Sequence, residues 1–193
     1  MASRNTSSTS RQLVAALRMM LVLTVLLGVV YPAAVWVVGR VGFDDQAQGS
    51  LVRRDGVVVG SSLLGQDFTG ERWFTGRPSA SSYTGDTSGG SNLAASSPDQ
   101  RKAVRERADG YDAAYGTNAP ADALTASGSG LDPQISVANA RAQAPRVARA
   151  NGLTEQAVLR LVDEHTQGRT LGFLGEPRVT VLELNLALER MTR

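Results

Sequence analysis

The feature that most constrains this chain is an unbroken apolar run, MMLVLTVLLGVVYPAAVWVV, from Met19 to Val38. No charged side chain occurs between Arg18 and Arg40. As a helix rising about 1.5 Å per residue, such a run reaches about 30 Å, the thickness of a bilayer's hydrocarbon core. Gly28 and Pro32 would destabilise a soluble helix but are tolerated in lipid. Tyr31 and Trp36 lie toward the far end, where aromatic rings suit the interface. A cleaved signal peptide is the alternative, with an apolar region of about 7 to 15 residues ending at small residues. This run is longer and finishes AVWVVGRVG, so it reads as an anchor spanning residues 13–40.

The charges divide at the same place. The chain has 193 residues and a sequence pI of 9.4, which would suggest nucleic acid until the charges are located. Before residue 41 the only charged side chains are Arg4, Arg11, Arg18 and Arg40. The remainder sets 18 acids against 16 bases, a net charge of −2. A basic arm on a mildly acidic body is not a nucleic-acid surface. There is no cysteine, which excludes disulfides, thiol nucleophiles and thiolate metal sites.

Residues 1–12, with the polar stretch MASRNTSSTS, read as a disordered tail. Arginines flank the span on both sides, so charge alone barely orients it. The short acid-free tail and the long following domain favour a cytoplasmic N-terminus and an extracytoplasmic C-terminal domain, since long domains translocate regardless of charge.

Residues 41–193 read as one compact α+β domain with a β-hairpin and several helices. In SLVRRDGVVVGSSLLG, two β-prone runs flank Asp55-Gly56, a strong hairpin signal. From Gln66 to Ser97 no helical period appears, yet Phe68, Trp73, Phe74 and Tyr83 recur, so the segment reads as ordered and pinned by its rings. Ser97-Pro98-Asp99-Gln100 spells a capping box, predicting a helix to about Asp109 that stops at Gly110.

In TASGSGLDPQIS, residues 125–136, Asp132 can cap a helix whose first residue is Pro133, with Gly128 and Gly130 shaping a turn before it. The alternative is an anion contact through backbone amides. A Walker-type phosphate loop needs a lysine after its last glycine, and the only lysine, Lys102, sits elsewhere. Ser88-Gly89-Gly90-Ser91 divides between the same two readings. Pro145 is expected to break or kink the helix begun at Pro133. Thr154 can cap a helix whose stripe is Ala157, Val158, Leu161 and Val162. GRTLGFLGEPR is a glycine-punctuated turn. Beyond it Thr180 and Glu183 form a capping box, with Val179 and Leu184 as a staple and Leu182 and Leu186 facing the core.

Catalytic groups are sparse. His165 is the only histidine and follows Asp163 and Glu164, so a membrane-anchored hydrolase can be drawn on paper, but no G-x-S-x-G elbow accompanies it. A helix-end histidine facing the C-terminal dipole is the commoner explanation. With one histidine and no cysteine, no transition-metal site is expected and no catalytic residue is assigned. An extracytoplasmic binding module remains a further alternative.

The order of segments resembles the KdpC family, the C subunits of the Kdp potassium-transporting P-type ATPases. The resemblance rests on the single span, QGSLVRRDGVVVGSSLLGQDF, WFTGRPSAS, SGGSNL, TASGSGLDPQIS, QAPRVARANGL and, above all, EHTQGRTLGFLGEPRVTVLELNLAL. These cover nearly everything from about residue 13 to 190. Asp67 and Thr180 stand where the family usually has Asn, and the Ser/Thr-rich tail is an extension. The resemblance implies a non-catalytic subunit that assembles with a channel-like potassium-translocating subunit, a P-type ATPase subunit and a small single-span subunit. It also implies a catalytic chaperone that raises the ATP affinity of the ATPase subunit. Ser88, Gly89, Gly90 and Ser91 would then correspond to a stretch likened to the signature motif of ABC transporters, a candidate nucleotide contact. The P-type phosphorylation motif D-K-T-G-T is absent from this chain.

Overall fold

In the computed structural model, residues 5–116 and 118–192 are described, and they fall into two units, Met1–Ser50 and Leu51–Arg193. The first unit is almost entirely helical. Helix α1 (Asn5–Val25) passes through a π-helical turn (Leu26–Val30) into α2 (Tyr31–Gly42), and a short α3 (Asp44–Ala47) follows. Pro32 explains the π turn. Its ring would clash with the carbonyl four residues back, and widening the preceding turn lets the Tyr31 amide reach Leu26 instead. Thr9–Gly42 is long and apolar enough to cross a membrane once, and its apolar side chains are exposed around the whole circumference. The helix begins at Asn5, ahead of residue 13, the expected start of the anchor, and so takes in part of the leading tail. Once a helix is nucleated, each further residue adds a hydrogen bond at little cost. The first four residues of that tail lie outside the described residues. At the other end Arg40 pairs with Asp44 at 2.8 Å, one helical turn away.

The second unit is α+β, as expected. Strands β1 (Leu51–Arg54) and β2 (Val57–Ser61) form the antiparallel hairpin. Asp55 and Gly56 both adopt positive φ, 51° and 81°, the mirror-image turn that matches strand twist. The segment 66–97 holds no helix or strand but is pinned to the core as its aromatics suggested. Phe74 is fully buried, and Phe68 and Trp73 pack against the same cluster.

Helix α4 (Pro98–Tyr115) starts at the expected proline, although Ser97 makes no side-chain cap hydrogen bond. It runs through Gly110 and ends at Gly116, which takes the left-handed conformation. A glycine inside a helix costs about 1 kcal/mol. Here the next residue, Tyr111, is buried and its hydroxyl reaches Asn139 at 3.2 Å, a tertiary gain available only if the helix continues.

Asp132-Pro133 opens a strand and not a helix. After a short α5 (Ala121–Leu124), β3 (Gln134–Ser136) pairs antiparallel with β5 (Arg178–Thr180), which pairs in turn with β4 (Thr166–Gln167). β-Branched Ile135 faces Val179 across the ladder and both are buried, so pairing overrides the local start signal. The helix begins one element later, as α6 (Val137–Asn151), where the Ser136 hydroxyl accepts from the Asn139 amide at 3.1 Å. Pro145 sits inside α6 without ending it, because the buried face formed by Ala140, Ala144, Val147 and Ala148 outweighs the lost hydrogen bond.

Helix α7 (Glu155–Glu164) is capped by Thr154 as expected, its side chain accepting from Ala157, and it buries Val158, Leu161 and Val162. In α8 (Val181–Met191) the capping box does not form. Thr180 belongs to β5, opposite Gln134, and its hydroxyl accepts from Gln167 at 3.3 Å. The Val181 amide donates to the Pro133 carbonyl at 2.9 Å. The buried side of α8 is broader than the Leu182–Leu186 stripe, taking in Val181, Leu184, Asn185, Ala187 and Leu188, while Leu186 is half-buried.

Candidate functional site

Three stretches singled out in the sequence converge in one place: WFTGRPSAS, the Ser88–Ser91 stretch and the glycine-serine loop before Asp132. The anchor of this junction is Arg77. Its guanidinium pairs with Asp132 at 2.9 Å and donates to the Thr125 carbonyl at 3.3 Å. Asp132 keeps its other oxygen for the Gln134 amide at 3.0 Å, so it orients β3 where it was expected to cap a helix.

Above Arg77, the Ser79 and Ser81 hydroxyls donate to the Gly130 carbonyl at 2.6 and 3.2 Å. The Ser127 amide donates to the Pro78 carbonyl at 3.1 Å. The Gly89 amide and the Ser88 hydroxyl both donate to the carbonyl of Ser129, at 2.8 and 3.2 Å. The two glycine-serine stretches are therefore partners of each other.

Gly130 carries the turn, not Gly128. Its φ is +69°, and a Cβ there would lie 2.7 Å from the Gly89 carbonyl oxygen and collide with the Ser81 hydroxyl. Gly128 has no left-handed φ, and a Cβ on it would meet open space. Gly90 crosses the same loop closely, with its Cβ position 3.1 Å from the Gly128 carbonyl oxygen.

Tyr83 closes the junction by donating to the Arg77 carbonyl at 2.6 Å. Burial is the main cause that pushes its phenol up to about 12, and the nearby Asp132 carboxylate adds to the shift. Arg77 opposes it, and Asp67 raises it further. Ser82 and Tyr83 both have positive φ, 52° and 56°, a strained pair held by the Ser79 side chain, which accepts from the Tyr83 amide at 3.1 Å.

Below the junction lies a buried amide network that the sequence reading missed. Asn185 accepts from the Phe74 amide and donates to the Phe74 carbonyl, both at 2.9 Å. Gln143 does the same for Thr75, at 2.8 and 3.1 Å. Two side-chain amides thus replace a neighbouring strand along residues 74–75. Gln143 is held by Asn139 at 3.0 Å, and Asn139 by Asp122 at 3.1 Å, which also binds the Ser136 amide and hydroxyl at 2.8 Å each. The available signal was a polar amide inside an apolar face: Asn185 amid the leucines of LELNLAL, and Asn139 and Gln143 one turn apart on α6.

His165 ends α7, and its Nδ1 lies 3.0 Å from the Leu161 carbonyl oxygen, which requires the proton on that nitrogen. Asp163 is turned to Arg141 at 2.8 Å. Among the described residues the pieces of a Ser-His-Asp triad are not assembled. Among the described residues no group of acids and histidine is placed to hold a metal ion.

Comparison with known proteins points to the family that the sequence resembles. The KdpC family model, described as K+-transporting ATPase, c chain, matches residues 13–190. A potassium-transporting ATPase KdpC subunit of Kineococcus radiotolerans is 56% identical over 183 residues, covering 92% of this chain and 93% of the relative. The namesake of Sorangium cellulosum is 54% identical, covering 90% and 95%, and that of Mycobacterium tuberculosis is 50% identical, covering 94% and 99%. With the family model spanning residues 13–190 and relatives about half identical over nine-tenths of the chain, the chain belongs to the KdpC family, the c chains of the K+-transporting ATPase, and its work is potassium transport.

Proposed function

We propose that the chain is a non-catalytic subunit of a high-affinity, ATP-driven potassium uptake pump. It assists assembly with a channel-like potassium-translocating subunit, a P-type ATPase subunit and a small single-span subunit, and as a catalytic chaperone it raises the ATP affinity of the ATPase subunit. The observation that carries this reading is the family match from residue 13 to residue 190, which takes in the membrane-spanning helix as well as the domain. The N-terminus is cytoplasmic and the domain extracytoplasmic, a placement supported by the acid-free leading arm and the long trailing domain.

In this proposal ATP acts through the complex. Direct contact with Ser88, Gly89, Gly90 and Ser91 is the weaker form of it. The Gly89 amide and Ser88 hydroxyl already serve Ser129, and an extracytoplasmic loop does not meet cytoplasmic ATP. The test is purification of the tagged full chain from detergent-solubilised membranes, followed by titration of the chain alone and of the complex with ATP. Co-purification of the three other subunits, with ATP binding only in the complex, is expected. Recovery of the chain alone from cells expressing all four would refute the pump reading. Micromolar ATP binding by the isolated chain, lost on Gly90→Ala, would turn the Ser88–Ser91 stretch into a nucleotide site.

A further inference from the structure

The middle of the membrane-spanning helix carries backbone carbonyls that the helix itself cannot serve. Nine residues of the Met19–Val38 run precede Gly28 and nine follow Val29, so Gly28 stands at the deepest point. In a regular helix the Gly28 carbonyl accepts from the amide four residues on. That residue is Pro32, which has no N–H. The Leu27 carbonyl would accept from Tyr31, but the Tyr31 amide is committed to Leu26 through the π turn. Two consecutive carbonyls have lost their α-helical donors, and the missing proline proton leaves the turn one donor short. A Cβ at Gly28 would meet nothing, so this position is open on its outer side.

The run has no donor of its own to offer. Its polar side chains are Thr24, Tyr31 and Trp36. Thr24 lies N-terminal to the pair, whereas helix carbonyls point toward the C-terminus. Tyr31 and Trp36 are 62% and 66% exposed, with their rings turned out from the helix. Water would serve such a carbonyl at no cost, but in hydrocarbon an unserved backbone group is expensive and lipid tails carry no donor. A cation at that depth would be costly in its own right, and the run holds no acid to pair with it. A neutral donor on a neighbouring helix meets the need, and a glycine at the contact lets two backbones come close.

We propose that the Leu27–Gly28 turn accepts a hydrogen bond from a hydroxyl or carboxamide side chain on a transmembrane helix of another subunit of the potassium-transporting ATPase. The inference rests on the reading of this chain as a pump subunit. A second copy of the chain is a poor occupant. Copies of a single-span chain insert in parallel, so the partner's small donor, Thr24, would stand about 6 Å short of Gly28 along the axis.

The test uses the full chain co-expressed with the other subunits. Pro32→Ala returns the missing amide and lets the turn close as α-helix, so the span becomes more regular while its acceptor is used up. Recovery of the co-purifying subunits should nevertheless fall about threefold or more, the ratio of one interhelical hydrogen bond in a membrane. A photoreactive benzophenone amino acid in place of Thr24, one turn before Gly28 on the same face, should crosslink to a partner segment with a serine, threonine, asparagine or glutamine at that depth. The same probe in place of Val22, on the opposite side, should reach lipid. Replacing the partner's donor with an apolar residue should lower recovery beside the wild-type chain and have no further effect beside Pro32→Ala.

Undiminished assembly of Pro32→Ala, or a crosslinked segment with no such donor, would overturn the hydrogen bond while leaving the pump reading intact. Crosslinks from position 24 to lipid alone, or to a second copy of the chain, would overturn it as well. If the wild-type chain recovers no other subunit, the pump reading fails and this inference falls with it.

Discussion

Replacing Gly130 with alanine should be among the most damaging single-methyl changes in this chain, and the same change two residues earlier should be nearly silent. At Gly130 a non-glycine residue at positive φ costs about 1–2 kcal/mol. The added Cβ also sits 2.7 Å from the Gly89 carbonyl oxygen, closer than any real contact, so the Ser88–Ser91 stretch or the Ser81 side chain must move. Overpacking of that kind costs about 1–3 kcal/mol. Displacement of the Gly130 carbonyl then loosens the hydrogen bonds from Ser79 and Ser81. The expected loss is about 2–4 kcal/mol, or about 6–12 °C for a domain of this size. Gly128→Ala meets no atom and no left-handed φ, so it should fall within about 0.5 kcal/mol of wild type or stabilise slightly through the unfolded chain. Trp73, tilted against Phe68 and covered by the Arg72 guanidinium 4.5 Å away, reports on the domain once Trp36→Phe removes the second indole. Melts of the full chain in detergent, followed by Trp73 emission, give both values. Equal costs at the two glycines, or a loss at Gly130 below about 0.5 kcal/mol, would refute the account of the junction.

Asn185→Ala should cost about 2–4 kcal/mol in the same melts, because it strands both the amide and the carbonyl of buried Phe74. Thr180→Ala and Glu183→Ala should give additive losses in a double-mutant cycle, since Thr180 is committed to β5 and no capping box couples the two; sub-additivity would show that the box forms after all. Tyr83 and Tyr111 should titrate late, near pH 12, in phenolate absorbance, both raised chiefly by burial. The folded state keeps these protons after the unfolded chain has released them near pH 10. Their contribution to stability is therefore complete below pH 10 and is lost as pH rises through 12, and a domain equally stable at both values would contradict the burial of the two rings.

What was legible in the sequence, and what was not, follows a physical division. The Asp55-Gly56 turn, the Thr154 cap and the pinning of residues 66–97 by their aromatics depend on neighbours close in sequence or on burial alone, and each came out as expected. The Asp132 helix start, the Thr180 box and the Gly110 stop are equally local signals. Each was overridden where a distant partner offered more: β5 for the residues after Asp132, β3 and Gln167 for Thr180, Asn139 for the turn of helix beyond Gly110. The two glycine-serine stretches are the sharpest case. Each alone has the composition of an anion cradle, and only their juxtaposition reveals that the carbonyl of Ser129 already receives the Gly89 amide. Leu171 is a different matter: its left-handed φ of +54° sits inside a turn closed by the paired Thr170–Leu174 hydrogen bonds, while its side chain is 79% exposed. A leucine held left-handed is a local cost, offset by the hydrogen bonds of the turn it sits in, and glycine at that position would remove the strain.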